Sequence, residues 1–141
     1  MVGRIGHGCG VHIELVSLVV SDYDEAIGFF VDKLGFDLVE DSPATTNDGR
    51  PKRWVVVRPA GAITGLLLAR ADGDEQQAIV GRQHAGRVGL FLRVDDFDTE
   101  YDRLRSVGVD FVTAPRDETY GRFAVFEDLA GNRWDLLGPN D

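Results

Sequence analysis

The 141-residue sequence contains a single cysteine, Cys9. One thiol cannot close an internal disulfide, so nothing in the chain demands an oxidising compartment. Long apolar runs are also missing. No window approaches the roughly 18 apolar residues of a membrane span, and the first residues lack the apolar block of a signal peptide. Positive charge is scarce: 15 Lys and Arg face 24 Asp and Glu, a formal net charge of −9. Such a balance repels phosphate backbones and anionic lipid, so neither nucleic acid nor a membrane is an expected partner. A cytoplasmic location is expected. With 43% hydrophobic and 28% charged residues the composition is that of a globular chain. At roughly 100–200 residues per domain, the length suits one domain or two small modules sharing a core.

Met1 to Gly10 carries four glycines and no periodic apolar pattern, which predicts a flexible leader over residues 1–12. His7, Cys9 and His12 are metal-ligand types, but three such residues on a glycine-rich backbone fall short of the four a structural zinc site takes. Ile13 to Val20 is β-branched-rich and predicts a largely buried strand. Asp22 with Glu25 three residues on forms a capping-box pattern, and Tyr23, Ile27, Phe30 and Leu34 recur at helical spacing up to a stop at Gly35. A strand is expected over Phe36 to Val39. Asp41 to Lys52 is dense in turn formers and predicts a connection, followed by strands at Arg53 to Arg58 and Ile63 to Ala69. Residues 71–88 read as a linker with a short helix. The same order then returns from Gly89: a strand, a cap at Asp96, a helix to Val107 with a stop at Gly108, and strands at Val109 to Val112, Arg122 to Glu127 and Arg133 to Leu137.

The two halves correspond. Val20-Ser21-Asp22-Tyr23-Asp24 parallels Val94-Asp95-Asp96-Phe97-Asp98, and Gly35-Phe36-Asp37-Leu38-Val39 parallels Gly108-Val109-Asp110-Phe111-Val112, with the second helix one residue shorter. The turn at Gly61 parallels that at Gly131. A supersecondary unit repeated in order constrains a fold more than any single propensity. The chain therefore reads as α+β, with tandem βαβββ modules at residues 13–70 and 89–139.

Ser21-Asp22-Tyr23-Asp24-Glu25-Ala26-Ile27-Gly28-Phe29-Phe30, Lys33-Leu34-Gly35-Phe36 and the closing Phe126-Glu127-Asp128-Leu129-Ala130-Gly131-Asn132-Arg133-Trp134-Asp135-Leu136 resemble the vicinal oxygen chelate superfamily. That family includes glyoxalase I, bleomycin-resistance proteins and extradiol dioxygenases. The resemblance covers Ile13 to Pro139 and implies a cupped mixed-sheet barrel whose concave face holds a ligand, in chains that often pair as homodimers. It marks a fold and leaves the reaction open. Metal-dependent relatives carry a ligand on the first and last strand of each module. Counted from the helix caps, these positions fall on Leu15 and Gly89, within Gly65 to Leu67, and on Asp135, so no metal and no cofactor are expected. His84 lies in the linker, too early to serve.

A cavity lined by residues of the same strand parity remains: Leu15 and Ser17 on one strand, Gly89, Phe91 and Arg93 on its counterpart, and Arg133 with Asp135 on the last. Phe91 could equally be plain core, and Arg93–Asp135 a packing ion pair. Trp54 and Trp134 could stack on a planar molecule, although Trp134 is expected to face the helix as core. Arg53 and Arg58 could receive an acidic group. Arg116 and Tyr120 belong to a loop expected at the cavity rim.

Two functions of different classes stay open. In the first, the chain binds a small aromatic or drug-like molecule in an apolar cavity without metal. In the alternative, it is a metal-free lyase, isomerase or hydrolase with Asp135 or Glu127 as general base. A metal-dependent glyoxalase or dioxygenase is third.

Overall fold

The computed structural model describes residues 10–140, so His7 and Cys9 lie outside the described residues. The elements run β1 (Leu15–Val20), α1 (Tyr23–Ile27) continuing into a π-helical turn (Gly28–Lys33), β2 (Asp37–Thr45), β3 (Pro51–Arg58), β4 (Gly65–Arg70), α2 (Asp74–Ile79), β5 (Val88–Arg93), α3 (Phe97–Ser106), β6 (Asp110–Phe111), β7 (Arg116–Glu118), β8 (Gly121–Glu127) and β9 (Arg133–Gly138). They build an α+β fold of two βαβββ-like mixed sheets. The first has the order β1-β4-β3-β2 and the second β5-β9-β8-β6, with β7 also paired to β8. In each, the strand before the helix runs parallel to the last strand, as Leu18↔Leu68 and Phe91↔Asp135.

Both predicted caps form. Asp22 Oδ2 accepts from the Glu25 N–H at 2.8 Å, and Asp96 Oδ1 from the Thr99 N–H at 3.2 Å. Gly35 and Gly108 end the two helical segments at φ 80° and 89°, a left-handed geometry that a side chain would strain. The first segment departs from the regular α-helix expected of it. Its second half is π-helical, with the Leu34 N–H bonded to the Phe29 carbonyl five residues back, and the Phe36 N–H closes its end on the Phe30 carbonyl. Wider i→i+5 bonding takes up extra length, which accounts for the one residue by which this segment exceeds its counterpart.

Three other expectations are corrected. Strand β1 starts at Leu15, and only Leu18 and Val20 of it are buried, because it is the edge strand of a sheet covered on one face. Asp41 to Thr45 continue β2 instead of forming a loop; their turn-forming side chains are tolerated because the strand lies at a sheet edge and pairs with β3 as far as Thr45↔Pro51. Arg116 to Glu118 form a strand that hairpins into β8 through Thr119 and Tyr120.

The sheets turn their helix-covered faces toward one common core. Leu18, Val20, Val55, Val57, Leu66 and Leu68 supply it from the first sheet, and Ala124, Phe126, Trp134 and Leu136 from the second. Phe30 joins the halves, with its ring centroid 5.7 Å from that of Trp134. Trp134 is buried as expected and donates its indole N–H to Asp128, whose carboxylate also accepts from the Ala130, Gly131 and Asn132 N–H groups. After α2, Gln83 reaches the free side of β1: its Oε1 accepts from the Val19 N–H and its Nε2 donates to the Ser17 carbonyl. Among the described residues no helix is long and apolar enough to cross a membrane.

Candidate functional site

Side chains alternate along a strand, so whatever does not face the core lies on the opposite face of each sheet. On the first sheet that face holds Leu15, Ser17 and Val19, with Leu67 and Ala69 beside them on β4. Val56 lies opposite Leu67, and Trp54, 36% exposed, shares its parity. On the second sheet the corresponding face holds Phe91 and Arg93 on β5 and Arg133, Asp135 and Leu137 on β9. Phe123, Val125 and Glu127 of β8 lie across from these three. Parity therefore places Leu15, Ser17 and Trp54 together on one open face, and Phe91, Arg93, Arg133, Asp135 and Glu127 together on the other.

Phe91 is 65% exposed, so the reading of it as plain core is wrong: β5 is an edge strand, and among the described residues nothing buries this ring. The Arg93–Asp135 ion pair also does not form among the described residues. Asp135 instead has a buried Oδ1 with no hydrogen-bond partner. Burial pushes its carboxyl above the usual carboxylate range, and the positive charge of Arg116 only partly opposes this. Arg116 lies with its guanidinium 4.4 Å from the Phe123 ring centroid and 3.6 Å from Glu118. Tyr120, 72% exposed at the tip of the β7–β8 hairpin, stacks on Phe123 at 5.5 Å. Arg133 and Glu127 pair at 3.7 Å, which occupies the second candidate base with a cation. Arg53, read as a receiver of acidic groups, is occupied by Asp41 at 2.7 Å and Asp24 at 3.0 Å.

Gly89 departs most from expectation. It falls at a register shift between Val88 and Leu90, and the imidazole of His84 occupies the space a side chain at position 89 would take. The linker thus delivers a ring to a place the sequence assigned to the strand. Only glycine admits this approach, and the Nδ1 of His84 is buried there without a partner. The strained turn that follows, with Ala85 at φ 55°, brings the chain into β5. Nothing in the sequence signals this contact, because it depends on the path of the connection. Phe123 and Val125 were also missed, yet alternation within Arg122 to Glu127 would have found them.

A family model for the glyoxalase/bleomycin resistance protein/dioxygenase superfamily matches residues 11–136. The chain belongs to this superfamily. An uncharacterized protein of Shewanella frigidimarina is 54% identical over 127 residues, which are 89% of this chain and 92% of that protein. Among solved structures, TnmS3, an antibiotic-binding protein from Streptomyces sp. CB03234, is 36% identical with a TM-score of 0.74, covering 95% of this chain and 100% of the other. UcmS2 is 29% identical with a TM-score of 0.75, over 91% and 98%.

The residues at the superfamily's metal positions do not fit a divalent ion. The side chains of Leu15 and Gly89 offer no ligand atom, Gly65 to Leu67 offer no carboxylate, and Asp135 on the second sheet is the one carboxylate among these positions. Among the described residues no three His, Cys, Asp or Glu side chains converge on one point. A divalent ion needs several protein ligands to leave water.

Proposed function

We propose that this superfamily member binds a small planar organic molecule, aromatic or drug-like, on the open face of its second sheet, with no resident metal. The observation that carries the reading is Phe91, an exposed ring flanked by Arg93 on its own strand and by Asp135 across the strand pair, with the Phe123–Tyr120 stack on the same sheet. An aromatic platform with a few placed polar groups is the usual make-up of a small-molecule pocket. The 36% identity to an antibiotic-binding protein supports the same class.

The proposal includes a homodimer. Both sheets turn their covered faces to one core, so the open faces look outward and one chain cannot close a cavity between them. A second copy laying its Leu15, Ser17 and Trp54 face over Phe91 supplies the missing wall, and the cytoplasm is the compartment that goes with this reading. Native mass spectrometry of gently purified protein tests the assembly; we expect a dimer, with any trapped organic mass lost in Phe91→Ala. A monomer, or a dimer holding about one divalent ion per chain, overturns the proposal.

Asp135 favours one second reading, a metal-free enzyme in which this carboxyl is the general base. Burial raises its proton affinity toward the range useful for proton transfer, and its free oxygen has no competing donor. Asp135→Asn separates the two. A binder keeps its affinity for a neutral ligand, whereas an enzyme keeps binding and loses turnover.

A further inference from the structure

The first sheet contains an opening at its β3–β4 seam that shares only Trp54 with the residues named in those readings. Strand β3 pairs with β2 down to Pro51, and β4 with β1 up to Arg70, but β3 and β4 pair with each other only at Val56↔Leu67 and Val57↔Leu66. Beyond Val56 they diverge, leaving a cavity of about 490 Å³ between the start of β3 and the end of β4. Its volume lies in the range of small-molecule sites, roughly 300–1,000 Å³. Trp54, Leu67 and Leu68 line it from the two strands, and Tyr23 from α1. The Tyr23 hydroxyl accepts from the Arg53 N–H at 3.2 Å, satisfying a strand group that β4 no longer reaches.

Four cations line the opening, and two already have anionic partners. Arg50 is held by Asp48 at 3.1 Å and Asp72 at 2.7 Å, and Arg53 by Asp24 and Asp41. Lys52 and Arg70 have no ion pair among the described residues. The Arg70 guanidinium lies 5.3 Å from the Tyr23 ring centroid, and its charge is felt by Asp72. The cavity is thus an aromatic and aliphatic slot whose lining also includes Asp48 and Asp72, both turned to Arg50, which leaves Arg70 and Lys52 as its cations without an ion pair. A ligand that matches it carries a flat apolar ring system and one carboxylate. A guanidinium presents parallel N–H donors that suit a carboxylate's two oxygens, and the Trp54 indole offers a stacking face.

We propose that the slot between β3 and β4 is a binding site for a small aromatic carboxylate, recognised by Arg70 and Lys52 and stacked on Trp54. The site shares Trp54 with the face proposed to cover Phe91, but its cations, Arg70 and Lys52, belong to the slot alone, so the charge preference can fail without the proposed function failing.

The test is an amide-correlation NMR titration of the intact protein with 2-naphthoate and its neutral analogue 2-naphthamide. The Trp54 indole signal is expected to shift saturably with 2-naphthoate, while that of buried Trp134 stays. The amide should bind about tenfold more weakly, the scale set by one hydrogen bond to a charged group. Arg70→Gln should erase that difference, and Lys52→Gln should reduce it. Phe91→Ala should leave the preference for the acid over the amide unchanged. Absence of saturation, equal affinity for acid and amide, or a preference that survives Arg70→Gln overturns the proposal. A titration abolished by Phe91→Ala moves the anion to the second sheet, overturning the slot while leaving the proposed function intact.

Discussion

The two modules share a topology and differ in one carboxylate. In the first, Asp41 is held by Arg53, Asp48 by the Thr46 hydroxyl and Arg50, and Asp72 by Arg50, so each lies below the usual carboxylate range. In the second, Asp135 is buried without a partner and lies above it. Carboxylates already neutralised by arginine hold strands and turns together. One left desolvated and unpaired works against folding at neutral pH and is available to something from outside. The modules also differ in regularity. Strand β2 runs nine residues against β3 with one register shift, whereas its counterpart is split into β6 and β7, with Thr113 Oγ1 accepting from the Val125 N–H between them.

The largest expected effect sets one side of the common core against the other. Trp134→Ala removes a ring packed against Phe30, Phe36 and Phe126 together with the bond to Asp128, and should cost about 4–5 kcal/mol in urea unfolding. The sequence-equivalent truncation on the other sheet, Leu66→Ala, should cost about 2–3 kcal/mol. Equal losses would mean that the aromatic cluster is no more than one face of an evenly shared core.

Next comes the closing turn. Asp128→Ala strips the acceptor from three backbone N–H groups and the Trp134 indole, and should cost about 2–4 kcal/mol by the same measurement. The turn at Gly61 has only a backbone bond, from the Ala62 N–H to the Pro59 carbonyl, so Pro59→Ala should cost less than about 1 kcal/mol.

The turns, caps and repeat were legible because each is written in a few residues: Asp22, Asp96, Gly35 and Gly108 state where helices begin and end. Face assignment was legible wherever strands alternate, which is why Phe91 and Asp135 were found. The π-turn was visible only as a length mismatch between helices. The extension of β2 through Asp41 to Thr45 was hidden by its polar and turn-forming residues, which report local preference and not the partner strand that overrides it. His84 was illegible for another reason: its position depends on where the linker runs, and sequence separation from Gly89 says nothing of that.

Two smaller effects probe the charge contrast directly. A raised carboxyl contributes stability that is present below its unfolded pKa and is lost as pH rises through the folded value. Asp135→Asn should therefore raise the melting temperature at pH 7 to 8, and the gain should vanish below the normal carboxylate range; a loss at pH 7 would show that the ionised form is satisfied. For Asp41, Asp48 and Asp72 the sign reverses. Their contribution is present above the ordinary carboxylate range and lost as pH falls through the lowered values. Because these groups are exposed, the effect should be the smallest of the set and should shrink further in about 0.5 M salt, read as the acid limb of a melting-temperature profile.

Gln83 gives the linker a second office. An edge strand with free N–H and C=O groups is a template on which another chain can zip up into an endless ribbon. The carboxamide seated on Val19 and Ser17 plays the part of one further strand residue and stops that growth at its first step. A strand arriving at this edge meets two backbone groups whose bonds are already made.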